Sequence, residues 1–322
     1  MDSSDQSATP LWLSWARLVR LPTVFSAMAC TASGFLLISG FEFPLPHLIV
    51  VLASVTALYW SGMILNDVCD IDEDRRLNRA GPLVTGEISV RTAQLAVVIL
   101  MSVGVALAWI AGNQAEEFDQ LPVIISVVIG GLVWLYDAPL KSTLLAPAVM
   151  GACRGASFLL GSSVALPLTQ VETIPEHVLS AALGFTLYVM GLTLFGRREA
   201  AAGEDAGGIN LAVGLVVLVG GLLIMAFGPT LTGFEQRGVR LDSRIAFPLL
   251  IGLIGGPVIV RFFKAIRDPD PSSIGPAMRL SILTIVPLSA AHALLGAGPS
   301  WGFAVFFLSI PGLILSAKIR VT

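Results

Sequence analysis

Residues 66–76 read Asn-Asp-Val-Cys-Asp-Ile-Asp-Glu-Asp-Arg-Arg and close an apolar stretch, packing an amide and a run of carboxylates into a few positions. If a helix continues through them, 100° per residue places Asp67, Asp70 and Asp74 within an arc of about 60°. Asn66 flanks that arc, and Asp72 points to nearly the opposite side. Three carboxylates on one face repel one another unless a cation lies between them. Magnesium suits such a set, because it takes oxygen ligands, keeps its waters and shares phosphate oxygens with a substrate. The plainer reading is a solvated helix end that anchors a span. Such ends carry Lys and Arg on the cytoplasmic side, whereas a same-face acidic trio at a membrane boundary points to function.

The elements that must hold this trio are membrane helices. The chain has 322 residues, of which only 13% are charged and 55% are hydrophobic. Soluble domains carry about 25% charged residues, so an ordinary soluble globule is excluded. Ten apolar blocks approach the length of about 20 residues that a spanning helix needs: 21–40, 46–66, 92–112, 121–136, 144–166, 178–196, 208–228, 244–264, 277–296 and 300–318. The expected fold is therefore all-α, a polytopic bundle of nine to ten transmembrane helices. The first block lacks a short apolar region with a small-residue cleavage site, and an amphipathic stretch, Leu11–Arg20, runs into it, so it does not read as a signal peptide.

Orientation follows from the cations. With the N-terminus in the cytoplasm, the inner loops and ends hold Arg17, Arg20, Arg75, Arg76, Arg79, Arg91, Lys141, Arg197, Arg198, Arg261, Lys264, Arg267, Arg279, Lys318 and Arg320, while only Arg237, Arg240 and Arg244 fall outside. Residues 1–322 read as one transmembrane domain with a cytoplasmic amphipathic segment (1–20) and two cytoplasmic active-site loops (67–91 and 197–207). A net charge of −3 shows no basic stripe for nucleic acid. Cys30, Cys69 and Cys153 have no metal or disulfide spacing, the three histidines are scattered, and no feature marks an obligate protein partner.

Asn66-Asp67-x-x-Asp70-x-x-x-Asp74 resembles the NDxxDxxxD signature of the UbiA superfamily of intramembrane prenyltransferases. The segment from Arg79 to Ser89 is similar to that family's RPLxxGxxS stretch, except that Ala80-Gly81 separate Arg79 from Pro82. Tyr136-Asp137-Ala138-Pro139-Leu140-Lys141 resembles its YSxPxK segment. The resemblance implies helices around a central cavity that opens to cytoplasmic loops. It also implies magnesium as cofactor, a prenyl diphosphate as donor, and a hydrophobic acceptor that is aromatic or lipid-like. A second acidic motif, DxxxD, is implied between the sixth and seventh spans. Here Glu199 and Glu204 stand at a different spacing, about 140° apart on a regular helix, and Glu199 plus four is Gly203. A kink at Gly203 would bring the two together; otherwise the second metal site is lost, as in a diverged branch of the superfamily.

On this reading Asp67, Asp70 and Asp74 hold magnesium on the diphosphate, with Glu199 and Glu204 as further candidate ligands. Arg79, Lys141, Arg197 and Arg198 are candidates for its oxygens, arginine through bidentate pairing, although the positive-inside rule alone also places cations there. Arg154 lies within the fifth block, where an unpaired charge costs at least about 2.5 kcal/mol. It is expected to face the cavity and pair with a carboxylate or phosphate, the alternative being an interhelical ion pair. Asn66 orients a ligand or contacts the diphosphate, and Tyr136 is a candidate for the substrate wall. Small residues such as Gly34, Gly62, Gly151, Gly155 and Gly161 suit close helix packing better than a tunnel. The competing functional class is a transport or non-catalytic protein on the same scaffold.

Overall fold

The computed structural model describes residues 10–114, 119–200, 207–232, 234, 241–268 and 271–319, with backbone alone at 197–200, 207–210 and 271. Its helices are α1 (Leu11–Leu18), α2 (Val24–Ser39), α3 (Leu45–Arg76), α4 (Val90–Gly112), α5 (Leu121–Leu135), α6 (Ala146–Ala165), α7 (Glu176–Ala200), α8 (Gly207–Leu231), α9 (Ala246–Arg267), α10 (Pro271–Ala297), α11 (Pro299–Phe307) and α12 (Ser309–Lys318). Among the described residues, ten segments are long and apolar enough to cross a membrane.

Consecutive helices from α2 to α10 pack side by side, and α10 closes the ring against α2. Helices α2 and α6 also meet through the middle and divide the bundle into two lobes. One apolar core lies mainly among α2–α6 and the other among α6–α10, around Phe185, Phe195, Phe247 and Phe262. Large side chains such as Leu95, Val98 and Ile99 of α4 face outward, while Ala93, Gly104 and Ala108 of the same helix face inward. That inversion of soluble-protein patterning follows from a solvent as apolar as the core, in which small residues let helices approach.

The α2–α6 seam depends on such residues. A Cβ on Gly161 would lie 1.9 Å from the carbonyl oxygen of Thr31, and one on Gly34 would lie 2.0 Å from that of Phe158. Gly151 and Gly155 let α6 approach Thr186 and Ala182 of α7 in the same way. Gly62 differs: it faces Val133 across the cavity wall described below.

Two elements depart from the block boundaries read in the sequence. Helix α3 has 32 residues, about 48 Å at 1.5 Å per residue, and so outruns a hydrocarbon core of about 30 Å. The stretch 67–91 is thus a loop only from Leu77 to Ser89, because residues 67–76 are the last turns of α3. Ser89 caps α4, accepting from the Thr92 amide at 3.1 Å. The tenth block is two helices that meet at Leu308. Pro311 explains the break, since its ring clashes with the carbonyl of residue 307 and it has no N–H to donate.

Candidate active site

The long α3 carries Tyr59, Gly62, Met63, Asn66 and Asp70 down one wall of a cavity of about 310 Å³ in the first lobe. The other walls come from Ala27 of α2, Ile129 and Val133 of α5, and Met150, Cys153, Arg154 and Ser157 of α6. Apart from Arg154, which lies deeper along α6, the charged lining groups Arg20, Asp70, Asp137 and Lys141 gather at the end where α3 outruns the hydrophobic blocks.

That end is shaped by two irregular pieces of backbone. After α5 the chain makes a π turn, Tyr136–Leu140, with Pro139 inside it, and this turn presents Tyr136, Asp137 and Lys141 to the cavity. Such turns interrupt regular helix bonding and recur at functional sites. Before α2, Arg20 adopts a left-handed backbone, φ 47°, a strained conformation for a side-chain-bearing residue. Its guanidinium reaches α3, where Nη2 donates to Asp67 Oδ1 at 3.1 Å and to Asn66 Oδ1 at 3.3 Å.

Each aspartate of the trio has its own cation. Asp67 takes Arg20, Asp70 is bonded to Lys141 Nζ, and Asp74 accepts from Arg79 Nη1 at 3.0 Å. Among the described residues, no three His, Cys, Asp or Glu side chains converge as a set able to hold a metal. Magnesium does not require that convergence, because one or two carboxylates with substrate phosphates suffice. Asp70, with Asn66 beside it, supplies oxygen donors on the cavity wall, and Asp67 follows Asn66 on the same helix. This donor set fits magnesium, and the cations that now neutralise the aspartates suit a diphosphate.

Of the candidates read in the sequence, the structure brings Asn66, Asp70, Tyr136, Lys141 and Arg154 to the cavity wall. Asp67 stands one residue behind it. Arg79 and Asp74 pair outside the lining, with the Arg79 side chain 57% exposed. The segment around Arg79 has structural duties instead: Leu83 and Ile88 are buried with Leu18 of α1, and Glu87 is bonded to Ser14 and lies 3.9 Å from Arg17. The α1 segment is thereby clamped over the loop. Arg197, Arg198 and Glu199 lie at the end of α7 with side chains outside the described residues, as does Glu204 entirely.

Arg154 donates from Nη2 to Ser26 Oγ at 3.3 Å. Its Nη1 is buried with no hydrogen-bond partner among the described residues, and no carboxylate among them pairs with it. A cation at that depth, lining a cavity, is available to an anion entering it.

Two lining residues escaped the sequence reading as site members. Arg20 counted only as an orienting charge, and its left-handed backbone leaves no local signature. Asp137 lies in the segment that resembles YSxPxK, where it occupies the position of serine. It is 6% exposed, and Asn66 Nδ2 donates to its Oδ1 at 2.7 Å. That difference from the segment was the available signal.

The model of the UbiA prenyltransferase family matches residues 27–283, a stretch that holds the aspartate helix, the π turn and Arg154. The chain belongs to the UbiA prenyltransferase family. It is 27% identical over 135 residues to protoheme IX farnesyltransferase of Baumannia cicadellinicola subsp. Homalodisca coagulata, a match covering 41% of this chain and 45% of that protein. It is 29% identical over 130 residues to digeranylgeranylglyceryl phosphate synthase of Saccharolobus solfataricus, covering 40% and 44% respectively. The matched stretches thus span less than half the length of these curated relatives. The fold is similar to that of a structure described as digeranylgeranylglyceryl phosphate synthase in membranes, with TM-score 0.64 and 18% identity over 89% of this chain and 98% of that one. It is also similar to a UbiA homolog from Archaeoglobus fulgidus bound to GPP and Mg2+, with TM-score 0.61 and 18% identity over 91% and 99%.

Proposed function

We propose that this chain transfers a prenyl group from an isoprenoid diphosphate, with magnesium, to a hydrophobic acceptor, aromatic or lipid-like, within the bilayer. The observation that carries the reading is one cavity with two ends: Asp70, Asn66, Lys141 and Arg20 at the charged end, and Val55, Leu58, Ile129 and Val133 along the apolar remainder. A prenyl diphosphate has the same division of charge and hydrocarbon.

Magnesium would be held by Asp70, with Asp67 one residue behind the cavity wall, and would neutralise diphosphate oxygens as the prenyl carbon–oxygen bond breaks. Lys141 and Arg20 lie where negative charge accumulates on the departing pyrophosphate, and fixed cations in a site that excludes water stabilise that charge strongly. Arg154 offers its free Nη1 to an anionic group of either substrate. Asn66 orients Asp137 and receives Arg20, so it holds the charged end in register. Arg197, Arg198, Glu199 and Glu204 complete the diphosphate site from the 197–207 loop in this proposal. Residues 1–322 act as one transmembrane unit, with the N-terminus and both loops on the cytoplasmic side of the inner membrane, the orientation that the cation distribution supports.

Purified full-length protein incubated with radiolabelled prenyl diphosphate, magnesium and extracted membrane acceptors is expected to yield a prenylated product, and chelation of the metal is expected to stop it. Movement of label across a vesicle membrane without product would favour a transport protein and overturn the proposal. Asp72 provides an internal control. It points away from the cavity, its side chain is 80% exposed, and it lies 3.5 Å from Arg75. Exposed pairs contribute little, so Asp72→Asn is expected to leave the transfer rate within about threefold of wild type.

A further inference from the structure

A second cavity, of about 300 Å³, lies between α2, α10 and α12 at the outer surface of the bundle. Phe25, Ile282, Leu283, Val286 and Leu308 make its walls apolar, and Ile282 and Leu283 are 38% and 42% exposed. Arg279 is the first lining residue along α10. Its side chain is exposed and forms no hydrogen bond or ion pair among the described residues. From Arg279 to Val286 the lining descends about 10 Å at 1.5 Å per residue. The hydrocarbon of one leaflet is about 15 Å deep, half of the core thickness. The groove thus fits within a single leaflet, with a lone cation at one end and hydrocarbon walls below it.

The groove and the active-site cavity share a wall. Thr23 and Ser26, at the start of α2, line the groove and bond to residues that line the cavity. Thr23 Oγ1 donates to the Arg20 carbonyl at 2.8 Å, which leaves it to accept from the Tyr59 hydroxyl at 2.7 Å. Ser26 Oγ accepts from Arg154 Nη2 at 3.3 Å. Arg20, which reaches Asp67, closely precedes this turn, so the groove lies toward the charged side of the bundle.

We propose that the groove binds one anionic phospholipid, with its phosphate on Arg279 and one acyl chain along Phe25, Ile282, Leu283 and Val286. Arginine meets phosphate through two parallel N–H bonds. An uncharged chain would leave the guanidinium without an anion, and free phosphate would leave the apolar walls unfilled; a phospholipid satisfies both. Seated there, it packs on the outer side of the turn whose inner side bonds to Tyr59 and Arg154. Its contacts lie outside the active-site cavity, so the inference stands independently of the prenyl-transfer reading.

Native mass spectrometry of the full chain, released from nanodiscs of equal phosphatidylglycerol and phosphatidylcholine, tests it. Wild type is expected to retain one phosphatidylglycerol at least about fivefold more often than phosphatidylcholine, the scale of one arginine acting on an anionic lipid. Arg279→Gln removes the cation and Leu283→Trp fills the groove, and each is expected to lower that retention at least about fivefold. Both positions are exposed, so both variants are expected to fold, which thermal unfolding checks. Arg261→Gln removes an exposed cation of α9 that does not line the groove, and it is expected to retain lipid like wild type. Equal retention of the two lipids, unchanged retention in either groove variant, or the same loss in Arg261→Gln would overturn the proposal. Release of the bound lipid by geranylgeranyl diphosphate would also overturn it, because the groove would then belong to a prenyl substrate.

Discussion

Asp70→Asn is expected to lower prenyl transfer by about a hundred- to a thousandfold, the loss typical when a group aimed at developing charge is removed. Of the aspartate trio, Asp70 alone lines the cavity, so its carboxylate is the one placed to bring a divalent ion to a bound diphosphate. Asparagine keeps an oxygen to accept from Lys141 Nζ but gives up the negative charge. The Asp70–Lys141 pair is part-buried, with side chains 21% and 32% accessible, and the variant loses the charge pairing but not the hydrogen bond to the lysine. The variant is therefore expected to accumulate and melt like wild type. Steady-state transfer with radiolabelled donor checks the rate, and detergent-phase thermal unfolding checks the fold. A variant that is active within tenfold would remove Asp70 from the reaction.

The second large effect is on the bundle. Gly161→Val is expected to prevent normal accumulation, or to destabilise the folded chain by about 3 kcal/mol or more, the upper end for overpacking. The reason is the absence of slack: the nearest atom to an added Cβ is the Thr31 carbonyl oxygen at 1.9 Å, and a backbone atom cannot swing aside. Separating α2 from α6 would also pull Ser26 from Arg154, so any protein that folds is expected to show weakened substrate binding. Gly131→Ala is the contrasting case. A Cβ there meets nothing within 4 Å, and alanine in a helix is favoured over glycine by about 1 kcal/mol. Thermal unfolding of the two variants beside wild type separates close packing from a general cost of substituting glycine.

The spans were legible because the apolar blocks are long and the cations fall on one side. The shared face of Asp67, Asp70 and Asp74 was legible from helical spacing, since it depends only on α3 continuing, but spacing did not single out Asp70 as the one that lines the cavity. Arg154 was legible because a charge in an apolar block demands a reason. Asp137 and Arg20 were not, and the cause is physical. Asn66 meets Asp137 across 71 positions of sequence, and Arg20 meets Asp67 across 47, so neither contact leaves a periodic trace. The exact reach of α3 and the break at Leu308 lie between these cases. Pro311 announces the break, but an apolar run by itself does not show where a helix is interrupted.

The central claim is that these aspartates bring a divalent ion to a prenyl diphosphate, and joint binding tests it most directly. Calorimetric titration of the full chain with a non-ionising geranyl thiodiphosphate, with and without magnesium, measures the coupling between the two ligands. Because coupling is reciprocal, each ligand is expected to tighten the other by the same factor, about tenfold or more, in wild type and not in Asp70→Asn. Thiodiphosphate binding that is equally tight without magnesium, or that keeps its metal dependence in Asp70→Asn, would contradict the account.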